Sequence, residues 1–78
     1  MIGNLLRELR ERKGLTQVEL AEILNISQTT LSGYETNHSN PNFDMIEKIA
    51  NECDYEIVFR KQKNRPELTV ESINNPVM

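Results

Sequence analysis

Gln28, Thr29, Ser32 and Gly33 lie close together in a short polar segment behind Ser27, and Gln17 stands a little way upstream. Amides and hydroxyls of this kind bond neighbours without changing protonation state, which suits recognition better than catalysis. On one face of a helix they fit the edges of nucleic-acid bases. A Gln amide pairs bidentately with N6 and N7 of adenine, a Ser hydroxyl bonds donors or acceptors, and a Thr methyl packs on the methyl of thymine. The plain alternative is the solvated face of a small helical bundle, since Gln, Thr and Ser are common on any surface. Each residue alone fits that alternative; the order in which they occur favours the first.

Catalysis has little to work with. The chain has one Cys and one His, no glycine-rich phosphate loop and no Cys/His pair at metal-ligand spacing. No enzyme, no metal and no cofactor is therefore expected. Cys53 follows Ile49 and Ala50 on an apolar helix face, the place of a small core hydrophobe rather than a nucleophile. His38 lies in the polar loop ETNHSNPN, either as a surface residue or, in the sharper reading, as a phosphate donor.

The elements that must position the polar face are legible on both sides of it. Thr16 followed by Glu19 is a capping box, so a helix starts at about 16. Leu20, Ala21, Ile23 and Leu24 give it an apolar stripe, with Ala21 small where a second helix must cross. Asn25 enters the left-handed region at modest cost and can turn the chain within a few residues. Ser27 caps the next helix, in which Leu31 and Tyr34 face inward and Gln28, Thr29, Ser32 and Gly33 outward. Two short helices joined in this way are the sequence form of a helix-turn-helix, and double-stranded DNA becomes the leading candidate partner. Before them, Ile2, Leu5, Leu6 and Leu9 repeat at helical spacing and end before Gly14. After them, Asn42 caps a helix over about 42–53 carrying Phe43, Ile46, Ile49, Ala50 and Cys53, with Asp44 in its first turn.

The order of helix 1, TQVELA, turn, Ser-capped helix, YE and a Pro-led helix resembles the Cro/repressor-type (XRE family) helix-turn-helix domains over roughly residues 2–53. The DNA-contacting set expected is Gln17, Ser27, Gln28, Thr29, Thr30, Ser32, Gly33, Asn37 and His38, carried on the mainly α, four-helix domain that the resemblance implies. Within that set the resemblance implies a phosphate contact at Gln17 and base edges facing Gln28, Thr29 and Gly33. It also implies an ion pair between Arg10 of helix 1 and Glu35, which would tie helix 1 to the recognition helix. Gly33 departs from the pattern: it has no side chain to read with and costs about 1 kcal/mol relative to Ala in a helix interior.

Charge opposes the DNA reading. The formal net charge is −3 and the pI about 5.1, whereas basic patches are the usual footprint of nucleic-acid binders. The charge is segregated: residues 1–15 carry +2, residues 16–53 carry −5, residues 54–65 carry +2 and the remainder −2. Phosphate contacts must then come mostly from Gln17, from Ser and Asn side chains and from helix N-terminal amides.

The segment YEIVFRKQ changes period. Tyr55, Ile57 and Phe59 alternate with Glu56, Val58 and Arg60, which reads as a strand. With 78 residues, 37% of them hydrophobic, the core is thin and oligomerisation is a natural source of stability. Pairing of Tyr55, Ile57, Val58 and Phe59 with the same strand of a second chain would give a homodimer, as HipB-like antitoxins similarly do; the alternative is pairing with residues 67–71 of the same chain. Arg60, Lys61, Lys63 and Arg65 form a basic run that either keeps the edge solvated or meets phosphates. The division is a DNA-binding domain over 1–53, a dimerisation strand and basic segment over 54–65, and a tail over 66–78 that admits a strand, a turn of helix or disorder. No apolar run approaches membrane-spanning length, no signal segment opens the chain, and a single Cys suits a cytoplasmic protein without disulfides. The function expected is a homodimeric transcriptional regulator that represses by occluding polymerase. The alternatives are the antitoxin of a toxin–antitoxin pair, with a toxin as protein partner, and an interaction module that has lost DNA binding.

Overall fold

The computed structural model describes residues 2–62 and 65–72. Four helices, α1 (Ile2–Lys13), α2 (Gln17–Leu24), α3 (Gln28–Glu35) and α4 (Phe43–Glu52), precede two strands, β1 (Tyr55–Gln62) and β2 (Arg65–Ser72). The caps expected from sequence are all formed. Thr16, Ser27 and Asn42 are extended residues whose side chains accept from the third residue beyond them, Glu19, Thr30 and Met45. Each bond satisfies an otherwise orphaned N–H and fixes where its helix begins.

The helices bury Leu6 and Leu9 of α1, Leu20, Ala21 and Leu24 of α2, Leu31 of α3 and Ile49 and Ala50 of α4, with Cys53 just beyond. Ile23, expected in the α2 stripe, is half exposed. It lies to the side of the arc that positions 20, 21 and 24 share at 3.6 residues per turn. α1 packs on α3 and α4, and α2 packs on α3. The crossing of α1 over the end of α3 is close because Gly3 is there. A Cβ on Gly3 would lie 2.5 Å from the Glu35 carbonyl oxygen and 2.7 Å from that of Tyr34. The Gly3 N–H also donates to Asn37 Oδ1 at 3.1 Å, so a first-turn donor of α1 is capped by a residue beyond α3.

The strand expected from Tyr55 is present but is not alone. β1 and β2 form an antiparallel pair within one chain, with Ile57 opposite Val70 and Phe59 opposite Leu68. Pairing with the same strand of a second chain, the expected arrangement, is not what this structure shows: β1 takes the alternative and pairs with the tail of its own chain. The reason is physical: closing a short loop costs much less than bringing two chains together. ELTVES also carries apolar residues at alternate positions 68 and 70, the period of a strand. β2 runs across the boundary drawn at 65/66; Lys63 and the tail after Ser72 lie outside the described residues. Tyr55, Ile57 and Val70 rest against the helical core and β1 lies along α4. Phe59 is exposed and stacks on Phe43 of α4, ring centroids 6.1 Å apart. Lys13 and Asp54 pair at 2.6 Å, joining the end of α1 to the turn before β1.

Candidate nucleic-acid interface

α2 and α3 meet at Asn25, which is left-handed (φ 59°) and donates its N–H to the Ala21 and Glu22 carbonyls. A side chain with a Cβ occupies that region at some cost, and Asn is among the residues that bear it best. Ile26 then returns its N–H to the Ala21 carbonyl at 3.0 Å. The Ser27 hydroxyl accepts from Thr30 N–H at 3.0 Å and donates to Thr30 Oγ1 at 2.8 Å. Both hydroxyls of that pair are thus engaged in the cap. Gln28 and Thr29 stand exposed at the start of α3, while Ser32 and Gly33 are half-buried.

Behind this face is a buried ion pair. Arg10 Nε donates to Glu35 Oε2 at 2.7 Å and Nη2 to Oε1 at 3.0 Å, a two-pronged contact, and Nη1 donates to the Leu15 carbonyl at 2.8 Å. Both residues are buried. The hydrogen bond to Glu35 raises the Arg10 pKa above its already high ordinary value, so the pair stays charged. Gln17 Nε2 also donates to Glu35 Oε1, at 3.1 Å. A carboxylate only accepts, so Gln17 must turn its amide nitrogen inward and its oxygen outward. That oxygen receives Gln28 Nε2 at 3.4 Å. The polarity of the chain of contacts is set from the core outward. Gln28 keeps its own oxygen and one N–H, the acceptor and donor that the adenine edge requires. Sequence reasoning assigned Gln17 a phosphate and missed its two amide contacts, which join residues far apart in the chain.

The two loop residues of the candidate set differ. Asn37 is left-handed (φ 64°), and its Oδ1 is held by Gly3, which leaves its amide nitrogen for any other partner. His38 is exposed, with Nδ1 2.7 Å from Thr36 Oγ1. Of the dimerisation set, Tyr55, Ile57 and Val58 are half-buried and Phe59 is exposed. Cys53 is buried, and desolvation pushes its thiol pKa up to about 11, the behaviour of a packing residue. All four basic residues of α1 are paired: Arg7 with Glu11, Arg10 with Glu35, Arg12 with Glu8 and Lys13 with Asp54. Among the described residues no cluster of His, Cys, Asp and Glu is placed to hold a metal ion, and no helix is long and apolar enough to cross a membrane.

Two capped eight-residue helices joined through a left-handed Asn, the second with its N-terminal face uncovered, define a helix-turn-helix. The chain belongs to the helix-turn-helix family, of the Cro/repressor type, whose model matches residues 6–59. It is 42% identical over 50 residues to the HTH-type transcriptional regulator ImmR of Bacillus subtilis, covering 64% of this chain and 39% of that protein. It is 35% identical over 49 residues to the immunity repressor protein of Bacillus phage phi105, covering 63% of this chain and 34% of the repressor. It is 40% identical over 50 residues to antitoxin PezA of Streptococcus pneumoniae, covering 64% of this chain and 32% of the antitoxin. The chain thus spans about two fifths or less of the length of these relatives. No solved structure matches it.

Proposed function

We propose that this chain is a sequence-specific double-stranded DNA-binding transcriptional regulator that acts as a homodimer and represses by occluding polymerase. The observation that carries this reading is the row Arg10, Glu35, Gln17, Gln28, in which a buried ion pair fixes the orientation of an exposed amide at the start of α3. Gln28 and Thr29 read bases, and Gln17 contacts a phosphate while holding Gln28. Similarity to proteins named transcriptional regulator and immunity repressor supports the same reading. The test is a mobility shift on a duplex recovered from a randomised pool. Gln28→Ala costs about 1–3 kcal/mol there and relaxes the preference at one base pair. Gln17→Ala weakens binding to every sequence. If both variants bind as the parent does, α3 is not the reader, and the chain is an interaction module instead.

The homodimer reading uses the hairpin. Within the described sheet β1 is laddered on one side only, and Phe43 and Phe59 form an exposed aromatic pair next to it. Two chains joined there would hold two recognition helices for half-sites about 34 Å apart. Ile57→Lys is a poor probe, because Ile57 packs on its own core. Phe59→Lys is better, since Phe59 is 65% exposed. Sedimentation should move from dimer to monomer in that variant while its circular-dichroism spectrum stays that of the parent; an unaltered dimer means that the chains associate elsewhere. Similarity to antitoxin PezA favours a second reading, an antitoxin with a toxin partner, which a co-purifying protein would distinguish from a stand-alone repressor.

A further inference from the structure

Gly33 is the one residue of the outward face of α3 without a side chain, and the space beside it is filled from further along the chain. A Cβ built on Gly33 would lie 2.9 Å from Ser39 Oγ and 4.0 Å from Ser39 Cβ, its nearest contacts beyond its own stretch of helix. The turn after α3 brings Ser39 there. Asn37 is left-handed, and the N–H groups of His38 and Ser39 both donate to the Gly33 carbonyl, at 2.9 and 3.2 Å. Position 33 is one helical turn beyond Thr29, on the same side of the helix. The Ser39 hydroxyl therefore stands beside the point where a side chain at 33 would begin, 2.9 Å from it. Ser39 is exposed, and among the described residues its Oγ makes no hydrogen bond.

We infer that Ser39 is a specificity-determining residue: its hydroxyl replaces the missing side chain at 33 and bonds the base edge next to the one met by Thr29. The inference rests on α3 being the DNA reader. A hydroxyl both donates and accepts, so the preference it confers is softer than that of Gln28. The steric relation adds a second consequence. Position 33 cannot take even a methyl group without moving the Ser39 hydroxyl, because real Cβ contacts essentially never fall under 3.0 Å.

The test compares the full chain with Ser39→Ala, Gly33→Ala, Gly33→Ala/Ser39→Ala and Gln28→Ala, each used to select from a randomised duplex pool that is then sequenced. Melting curves establish that every variant folds. Ser39→Ala should flatten the preference at one or two base pairs by about three- to tenfold, the value of one hydrogen bond, and leave the base pair set by Gln28 intact. Gly33→Ala should flatten the same positions, since its methyl displaces the hydroxyl, and the double variant should lose no more than either single one. An unchanged profile in Ser39→Ala overturns the inference. So does a uniform loss at every sequence, which would make the hydroxyl a phosphate contact. If Gln28→Ala also leaves the profile unchanged, it is the reading of α3 as the DNA reader that fails, and the role of Ser39 falls with it.

Discussion

Removing the Glu35 carboxylate should be among the most damaging single changes to this chain, and the structure says why. Glu35 accepts three hydrogen bonds, two from Arg10 and one from Gln17. The Arg10 and Glu35 side chains are 10% and 2% exposed. In Glu35→Ala, Arg10 keeps only the Leu15 carbonyl, and a guanidinium stays buried without a counter-charge. Breaking a buried pair from one side costs about 3–5 kcal/mol. A domain of this size has a total stability of roughly 4–12 kcal/mol, so the loss is a large part of the whole. Urea unfolding measures it, and a drop in midpoint at constant slope is the expected form. A loss below about 1 kcal/mol would refute the claim that the pair is buried and unreplaced.

The double change Arg10→Met/Glu35→Leu separates stability from orientation. With both charges gone and the volume roughly kept, most of the lost stability should return. Sequence preference should not return, because Gln17 has no inward acceptor and its amide is free to flip. A double variant that selects the same duplexes as the parent would show that the pair holds the fold and does nothing for the reading face.

Gly3→Ala should destabilise by about 1–3 kcal/mol, because the added methyl meets two backbone carbonyls that cannot step aside. Stabilisation by about 1 kcal/mol, the ordinary helix preference for Ala, would mean that α1 and α3 are further apart. The buried thiol gives a pH dependence. Its pKa is raised from 9.0 to about 11, so the unfolded chain loses this proton first and stability falls as pH rises from about 9 to 11. The fall due to Cys53 is of order 2 kcal/mol and is read as the difference between the parent and Cys53→Ala, which should lack it. Affinity for DNA should depend less steeply on salt than in a repressor making six to ten phosphate contacts, since the cations of α1 are already paired. A slope as steep as in that class would place Arg60 and Lys61, or α1, on the DNA.

How much was legible in the sequence follows the distance over which each signal acts. The capping box at Thr16 and Glu19, the left-handed Asn25 and the caps Ser27 and Asn42 involve neighbours a few residues apart, and all four took the expected form. The apolar stripes were legible for the same reason, with Ile23 misplaced because four residues do not define an arc sharply. The pair of Arg10 with Glu35 was expected from family resemblance, not from any local signal, and it is present. The contacts that escaped notice join distant positions through backbone geometry. Gly3 lies against the Glu35 carbonyl and its N–H is bound by Asn37, yet a glycine in the first turn of a helix carries no mark of what it faces.

The hairpin and Ser39 show the other way a sequence reading falls short, by judging a segment alone. ELTVES looks aperiodic until it is laid antiparallel against YEIVFRKQ, where positions 68 and 70 come opposite Phe59 and Ile57. The pairing was half written in each strand. Gly33 likewise looks like a reading position left blank, and a lost contact is the natural conclusion from α3 alone. The turn after α3 changes that conclusion, because the Gly33 carbonyl gathers two N–H groups and seats the next hydroxyl beside the vacant Cβ. A missing side chain on a recognition helix is therefore not evidence of a missing contact until the residues that fold back over it have been counted.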